Sequence, residues 1–90
     1  MYAELVTKII DYLFGPDHSV AVTEHIKISK NPQEKDTVNI FIVPGKKYFS
    51  KIIGKGGETI NLIENLVRIK GYLNNCQVFI KVEKNLLTNR

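Results

Sequence analysis

Ile52-Ile53-Gly54-Lys55-Gly56-Gly57-Glu58-Thr59-Ile60 is the stretch on which the fold of this 90-residue chain turns. Three glycines in four residues would each cost a helix interior about 1 kcal/mol, so Gly54 to Gly57 reads as a loop. Before it, Lys46 to Ile53 reads as a short helix, amphipathic through Tyr48, Phe49, Ile52 and Ile53. After it, Glu58 to Leu73 reads as a long helix. Its apolar residues Ile60, Leu62, Ile63, Leu66, Val67, Ile69 and Leu73 cover close to half the circumference, whereas a surface helix needs a stripe of about 100°. Either that helix lies deep in a small core, or part of its face packs against another chain.

Strands flank the helix pair. Val38 to Val43 is a strand, stopped by Pro44-Gly45. Cys76 to Glu83 alternates, with Cys76, Val78, Ile80 and Val82 inward and Gln77, Phe79, Lys81 and Glu83 outward. Two strands joined through two helices are expected to pair in parallel by a right-handed crossover. Upstream, Val20 to Ser29 alternates as well, with Val20, Val22, Ile26 and Ile28 on one face. Glu24 falls on that apolar face, which predicts a bulge or a sheet edge. The polar loop Lys30 to Asp36 lets this strand return antiparallel onto the next. Tyr2 to Phe14 is a helix by its three- and four-residue spacings, ended by Gly15-Pro16. Asn85 to Arg90 has no period and reads as a flexible tail after a single domain spanning 1–84.

The loop and its context carry the function. Gly54 and Gly57 have no Cβ, so a sugar-phosphate backbone can approach closely. N–H groups at the start of the following helix, with the positive end of its dipole, favour a phosphate there. Lys55 adds a full charge, and Lys51 lies one turn earlier. From Thr37 to Gly57 there are four lysines, Lys46, Lys47, Lys51 and Lys55, and no acid. Ile53, Ile60 and a strand edge formed by Val38 and Ile40 are expected to line an apolar groove beside the loop. The plain alternative is a tight turn between helices, but such a turn rarely needs three glycines and a lysine. Nucleotide-binding P-loops and dinucleotide-binding loops follow a strand, and this loop follows a helix.

The run Ile53, Gly54, Gly57 and Ile60 in this setting resembles the signature of the KH family, Gly-x-x-Gly bracketed by apolar residues. The element order resembles the type II arrangement, α-β-β-α-α-β, an α+β fold with a three-stranded mixed sheet and three helices on one face. The resemblance extends over about Tyr2 to Glu83, and size and layout are most similar to the stand-alone KhpA-type KH proteins of bacteria. Where that family often has glycine before the Lys-apolar-apolar-Gly run, this chain has the small residue Ser50. The resemblance implies single-stranded RNA as partner, since a KH loop clamps about four nucleotides in a groove that duplex bases cannot enter. It implies Lys51, Ile53, Gly54, Lys55, Gly56, Gly57 and Ile60 as the RNA-binding residues. It further implies an RNA chaperone or post-transcriptional role, linked to cell-shape control, as a homodimer or paired with a larger KH protein of the Jag type. A protein-interaction module with incidental RNA contact is the alternative.

Composition is compatible with this reading. The net charge of +4 is mildly basic. Cys76 is the single cysteine, which excludes an internal disulfide and a cysteine zinc site and suits a reducing compartment. Glu4, Lys8 and Asp11 interrupt the opening segment, unlike a signal peptide, and no apolar run reaches the roughly 18 residues of a membrane span, so a cytoplasmic protein with no membrane contact is expected. His18 and His25 are expected to face solvent. No carboxylate pair and no Ser/His/Asp or Cys/His set is visible, so neither catalysis nor a cofactor is expected. Phe41 and Phe79 fall on the outward sheet face, where contact with the tail or a partner protein is favoured over base stacking.

Overall fold

The computed structural model describes residues 2–16 and 19–83. The element order is α1 (Tyr2–Phe14), β1 (Val20–Lys27), β2 (Asp36–Pro44), α2 (Lys46–Ile53), a 3-10 turn (Lys55–Gly57), α3 (Glu58–Leu73) and β3 (Cys76–Val82). The sheet order is β1-β2-β3, with β1 antiparallel and β3 parallel to the central β2. The expected crossover pairing is therefore present, and both β1 and β3 are edges.

Alternation in β2 decides which side holds the core. Val38, Ile40, Ile42 and Pro44 are buried, and they point at Val6 and Ile10 of α1, Ile52 of α2, and Ile63 and Val67 of α3. Val78 of β3 joins them. The opposite sheet face carries exposed Ala21, Thr23, His25, Gln77 and Lys81, so all three helices lie on one face. Burying one such aliphatic side chain is worth about 1.5–3 kcal/mol, and this single apolar layer holds the domain together. Gly71 lets α3 approach β3. A Cβ there would stand 2.5 Å from a methyl of Val78 and 3.1 Å from the carbonyl oxygen of Cys76. The glycine inside the helix is thus a packing requirement, and α3 runs through it to Leu73.

Glu24 is at the sheet edge, and there is no bulge: β1 pairs with β2 residue for residue from Val20–Pro44 to Lys27–Thr37. The carboxylate is used instead, accepting the Ala3 N–H at 2.9 Å. It thereby satisfies a donor in the first turn of α1, where a negative charge also suits the helix dipole. β1 ends at Lys27, two residues earlier than its alternation suggests, because the Ser29 N–H turns to the Asp36 carboxylate at 2.9 Å and Ile28 is left exposed. The Asn31 side chain then receives the Gln33 N–H, closing the turn. The buried Tyr2 hydroxyl receives the Asn74 amide at 3.2 Å, and the Lys70 ammonium lies 5.4 Å from the Tyr2 ring centre, tying α1 to the end of α3.

The wide apolar arc of α3 is only half used. Ile63 and Val67 are buried and Ile60 packs partly against the core, but Leu62, Leu66, Ile69 and Leu73 are 50%, 41%, 59% and 76% exposed. Of the two placements open to this helix, burial deep in a small core is corrected: only its Ile63–Val67 side is in the core. The expected tail at Asn85–Arg90, and His18, lie outside the described residues; His25 is exposed. No helix among the described residues is long and apolar enough to cross a membrane.

Candidate nucleic-acid interface

The loop between α2 and α3 is built from glycines with two different duties. Gly54 ends α2 at φ 78°, ψ 173°, donating its N–H to the Ser50 carbonyl. A Cβ on it would collide with the Thr59 side chain and stand 2.8 Å from the Thr59 nitrogen. Position 54 therefore has no room for a side chain, because the head of α3 occupies the space. Gly56, at φ 63°, ψ 20°, is exposed, with nothing within 4 Å of where a Cβ would be. It leaves the outer surface of the loop open to an approaching group.

The hydrogen bonds of the loop show which of its donors are engaged. The Gly57 N–H goes to the Gly54 carbonyl at 3.2 Å, and the Glu58 N–H goes to the Lys55 carbonyl. The N–H groups of Lys55 and Gly56 stand at the head of this turn, ahead of its internal bonds, where backbone donors have no partner within the turn. Successive backbone N–H groups on a turn form an anion-accepting concavity. The expected donors at the start of α3 are thus partly engaged, and the adjacent pair at Lys55 and Gly56 lies in the loop itself.

Charge gathers on the α2 side. Lys46, Lys47, Lys51 and Lys55 are exposed. The ammonium groups of Lys47 and Lys51 lie 5.7 Å and 5.4 Å from the centre of the Tyr48 ring, which itself packs 6.0 Å from Phe14. The ring holds two cations on one face of α2, in a cation–π arrangement worth about 0.5–1 kcal/mol at an exposed site. Lys47 is absent from the binding residues that the sequence implies; its spacing of four from Lys51 is the signal that could have found it.

On the α3 side an open cavity of about 490 Å³ is lined by Glu58, Thr59, Asn61, Leu62 and Asn65. Asn61 and Asn65 bring amides that both donate and accept. The structure brings Gly54, Lys55, Gly56 and Gly57 together with these residues, and it leaves Ile53 and Ile60 half-buried beside them. The groove floor expected from Val38 and Ile40 is corrected. Both are fully buried in the central strand, and the free sheet edge beside α3 is β3.

No protein-family model matches this sequence, and no curated protein does. Among solved structures, the chain is similar to a single-residue variant of Aquifex aeolicus Era bound to GDP·AlF4−, with 22% identity and a TM-score of 0.64. It is similar to the same degree to Era in complex with MgGDPNP and nucleotides 1506–1542 of 16S ribosomal RNA. Each match covers 93% of this chain and 31% of the other, so this chain corresponds to under a third of those proteins. At this identity the likeness speaks to fold, and together with the three helices and mixed sheet it is consistent with a KH-type fold.

Proposed function

We propose that this chain is a type II KH module of the KhpA type that binds single-stranded RNA and catalyses nothing itself. The observation that carries the reading is the loop geometry: the two adjacent N–H groups of Lys55 and Gly56 at the head of the turn, on an unobstructed surface, with exposed lysines on one side and the Asn61–Asn65 amides on the other. Phosphate sits on the N–H pair, with Lys55 and Lys51 neutralising it. Ile53 and Ile60 form the apolar border at the loop, and the amides read unstacked bases. The similarity to a protein solved with a ribosomal RNA segment supports RNA as the class of ligand. The role is that of a cytoplasmic RNA chaperone or post-transcriptional regulator.

Fluorescence anisotropy on a labelled single strand and on a duplex of the same sequence tests this. The single strand is expected to bind more tightly. Two to four lysine–phosphate contacts give a log–log salt slope of about −1.4 to −2.8. A slope near zero, or preference for the duplex, overturns the assignment.

A second reading, pairing with another chain, is favoured by the seam Leu62-Leu66-Ile69-Leu73 on α3. These residues recur at four-three-four spacing, lie within about 60° of one another around the helix, and are all exposed. A second copy, or a larger Jag-type KH protein, would cover them. Sedimentation across a concentration series decides it: a strictly monomeric mass at high micromolar concentration removes the homodimer.

A further inference from the structure

A second group of residues on α3 and β3 has no part in the loop. Tyr72 is 76% exposed and Phe79 is 47% exposed, and both line an open groove of about 340 Å³ with Lys35 and Arg68. None of the residues lining this groove is acidic. The Lys35 ammonium lies 5.9 Å from the Tyr72 ring centre. Arg68 is 58% exposed and reaches Glu64 only at 3.6 Å, leaving guanidinium donors for another acceptor. The groove runs along the first half of β3, whose outer edge has no strand partner among the described residues. Two exposed rings, two cations and an open backbone edge match the needs of stacked bases flanked by phosphates.

The position of this groove links it to the loop. Asn61, Asn65, Arg68 and Tyr72 follow each other at four-three-four spacing, on a stripe about 60° wide beside the apolar seam. The first two line the cavity at the loop and the last two line the distal groove. From Gly57 to Tyr72 the helix rises about 22 Å.

Resting on the RNA-binding reading above, we infer that Tyr72 and Phe79, with Lys35 and Arg68, form a distal base-stacking subsite for single-stranded nucleic acid that continues the strand held at the Gly54–Gly57 loop. The site is thus longer than the four or so nucleotides that the loop alone clamps. The sheet-face aromatic Phe79 serves a strand passing round the β3 edge.

The test compares a four-nucleotide and a ten-nucleotide single-stranded RNA of one composition, titrated into the wild type, Tyr72→Ala, Phe79→Ala and Tyr72→Phe. Both aromatics are exposed, so the alanine variants are expected to fold and to bind the short oligomer as the wild type does. On the long oligomer each alanine variant is expected to lose about five-fold or more in affinity, and Tyr72→Phe to retain most of it. Alanine variants that bind the long oligomer as tightly as the wild type overturn the distal subsite while leaving the loop assignment standing. Unchanged RNA affinity with altered self-association in sedimentation makes the patch a protein contact and also overturns it. Failure of the wild type to bind either oligomer overturns the RNA reading itself and this inference with it.

Discussion

Gly54→Ala is the substitution to which the loop is expected to be most sensitive, and Gly56→Ala is its control. At φ 78°, ψ 173°, Gly54 occupies backbone space that is nearly closed to other residues, at a cost of about 1–3 kcal/mol. The added methyl also meets the Thr59 side chain and the Thr59 nitrogen, and such overpacking costs about another 1–3 kcal/mol. Together they predict a loss of about 2–6 kcal/mol, centred near 4 kcal/mol. In a domain of this size that lowers the melting temperature by more than about 10 °C. At Gly56 the conformation is left-handed helical and the space is open, so alanine costs only about 1–2 kcal/mol. Urea unfolding followed by far-ultraviolet circular dichroism gives both values from the midpoint shifts, provided the slope m is unchanged. A Gly56→Ala cost as large as that of Gly54→Ala would refute the idea that the Thr59 contact and the Gly54 backbone set the loop's need for glycine.

Other outcomes follow from single contacts. Glu24→Ala is expected to cost about 1 kcal/mol in urea unfolding, because the Ala3 N–H loses its carboxylate, while Glu24→Gln recovers part of it. Burial pushes the Tyr2 hydroxyl above the ordinary tyrosine value. The folded state therefore keeps its proton where the unfolded chain, with a pKa of about 10, gives it up; stability present below that pH is lost as pH rises through about 10 toward the raised folded value. Tyr2→Phe should flatten this alkaline loss in stability measured from about pH 9 to 11, and an unchanged slope would show that the buried hydroxyl does not drive it.

The elements are legible in the sequence because each carries a strong local signal: the period of two in Val38–Val43 and Cys76–Val82, the glycines at 54, 56 and 57, and the Gly15-Pro16 stop. Relations between distant residues are not. Glu24 reads as a flaw in a strand because its partner, the Ala3 N–H, lies in another element. Alternation places Val38 and Ile40 on the inner face but does not say that their strand is central, so a buried pair reads as the wall of a groove. Periodicity counts apolar residues on α3 without dividing them, and the division between Ile63 and Val67 on one side and Leu62, Leu66, Ile69 and Leu73 on the other depends on where the sheet lies. Asn61 and Asn65 are silent for the same reason: their amides gain meaning only when the exposed stripe leads to the loop. The placing of the Lys55 and Gly56 donors at the head of the turn depends on turn hydrogen bonds that composition does not specify.

The central claim is that the Lys55–Gly56 tip meets phosphate, and the double variant Lys55→Asp/Gly56→Asp tests it most directly. Both positions are exposed, and the Gly56 conformation is one that aspartate tolerates better than most residues, so the unfolding midpoint should fall only modestly. The change moves three units of charge against the bound phosphate. At about 1 kcal/mol per unit near 4 Å in water, affinity for a short single-stranded RNA should fall roughly a hundredfold. A folded double variant that binds the same RNA with wild-type affinity would contradict the assignment of the loop as the phosphate site.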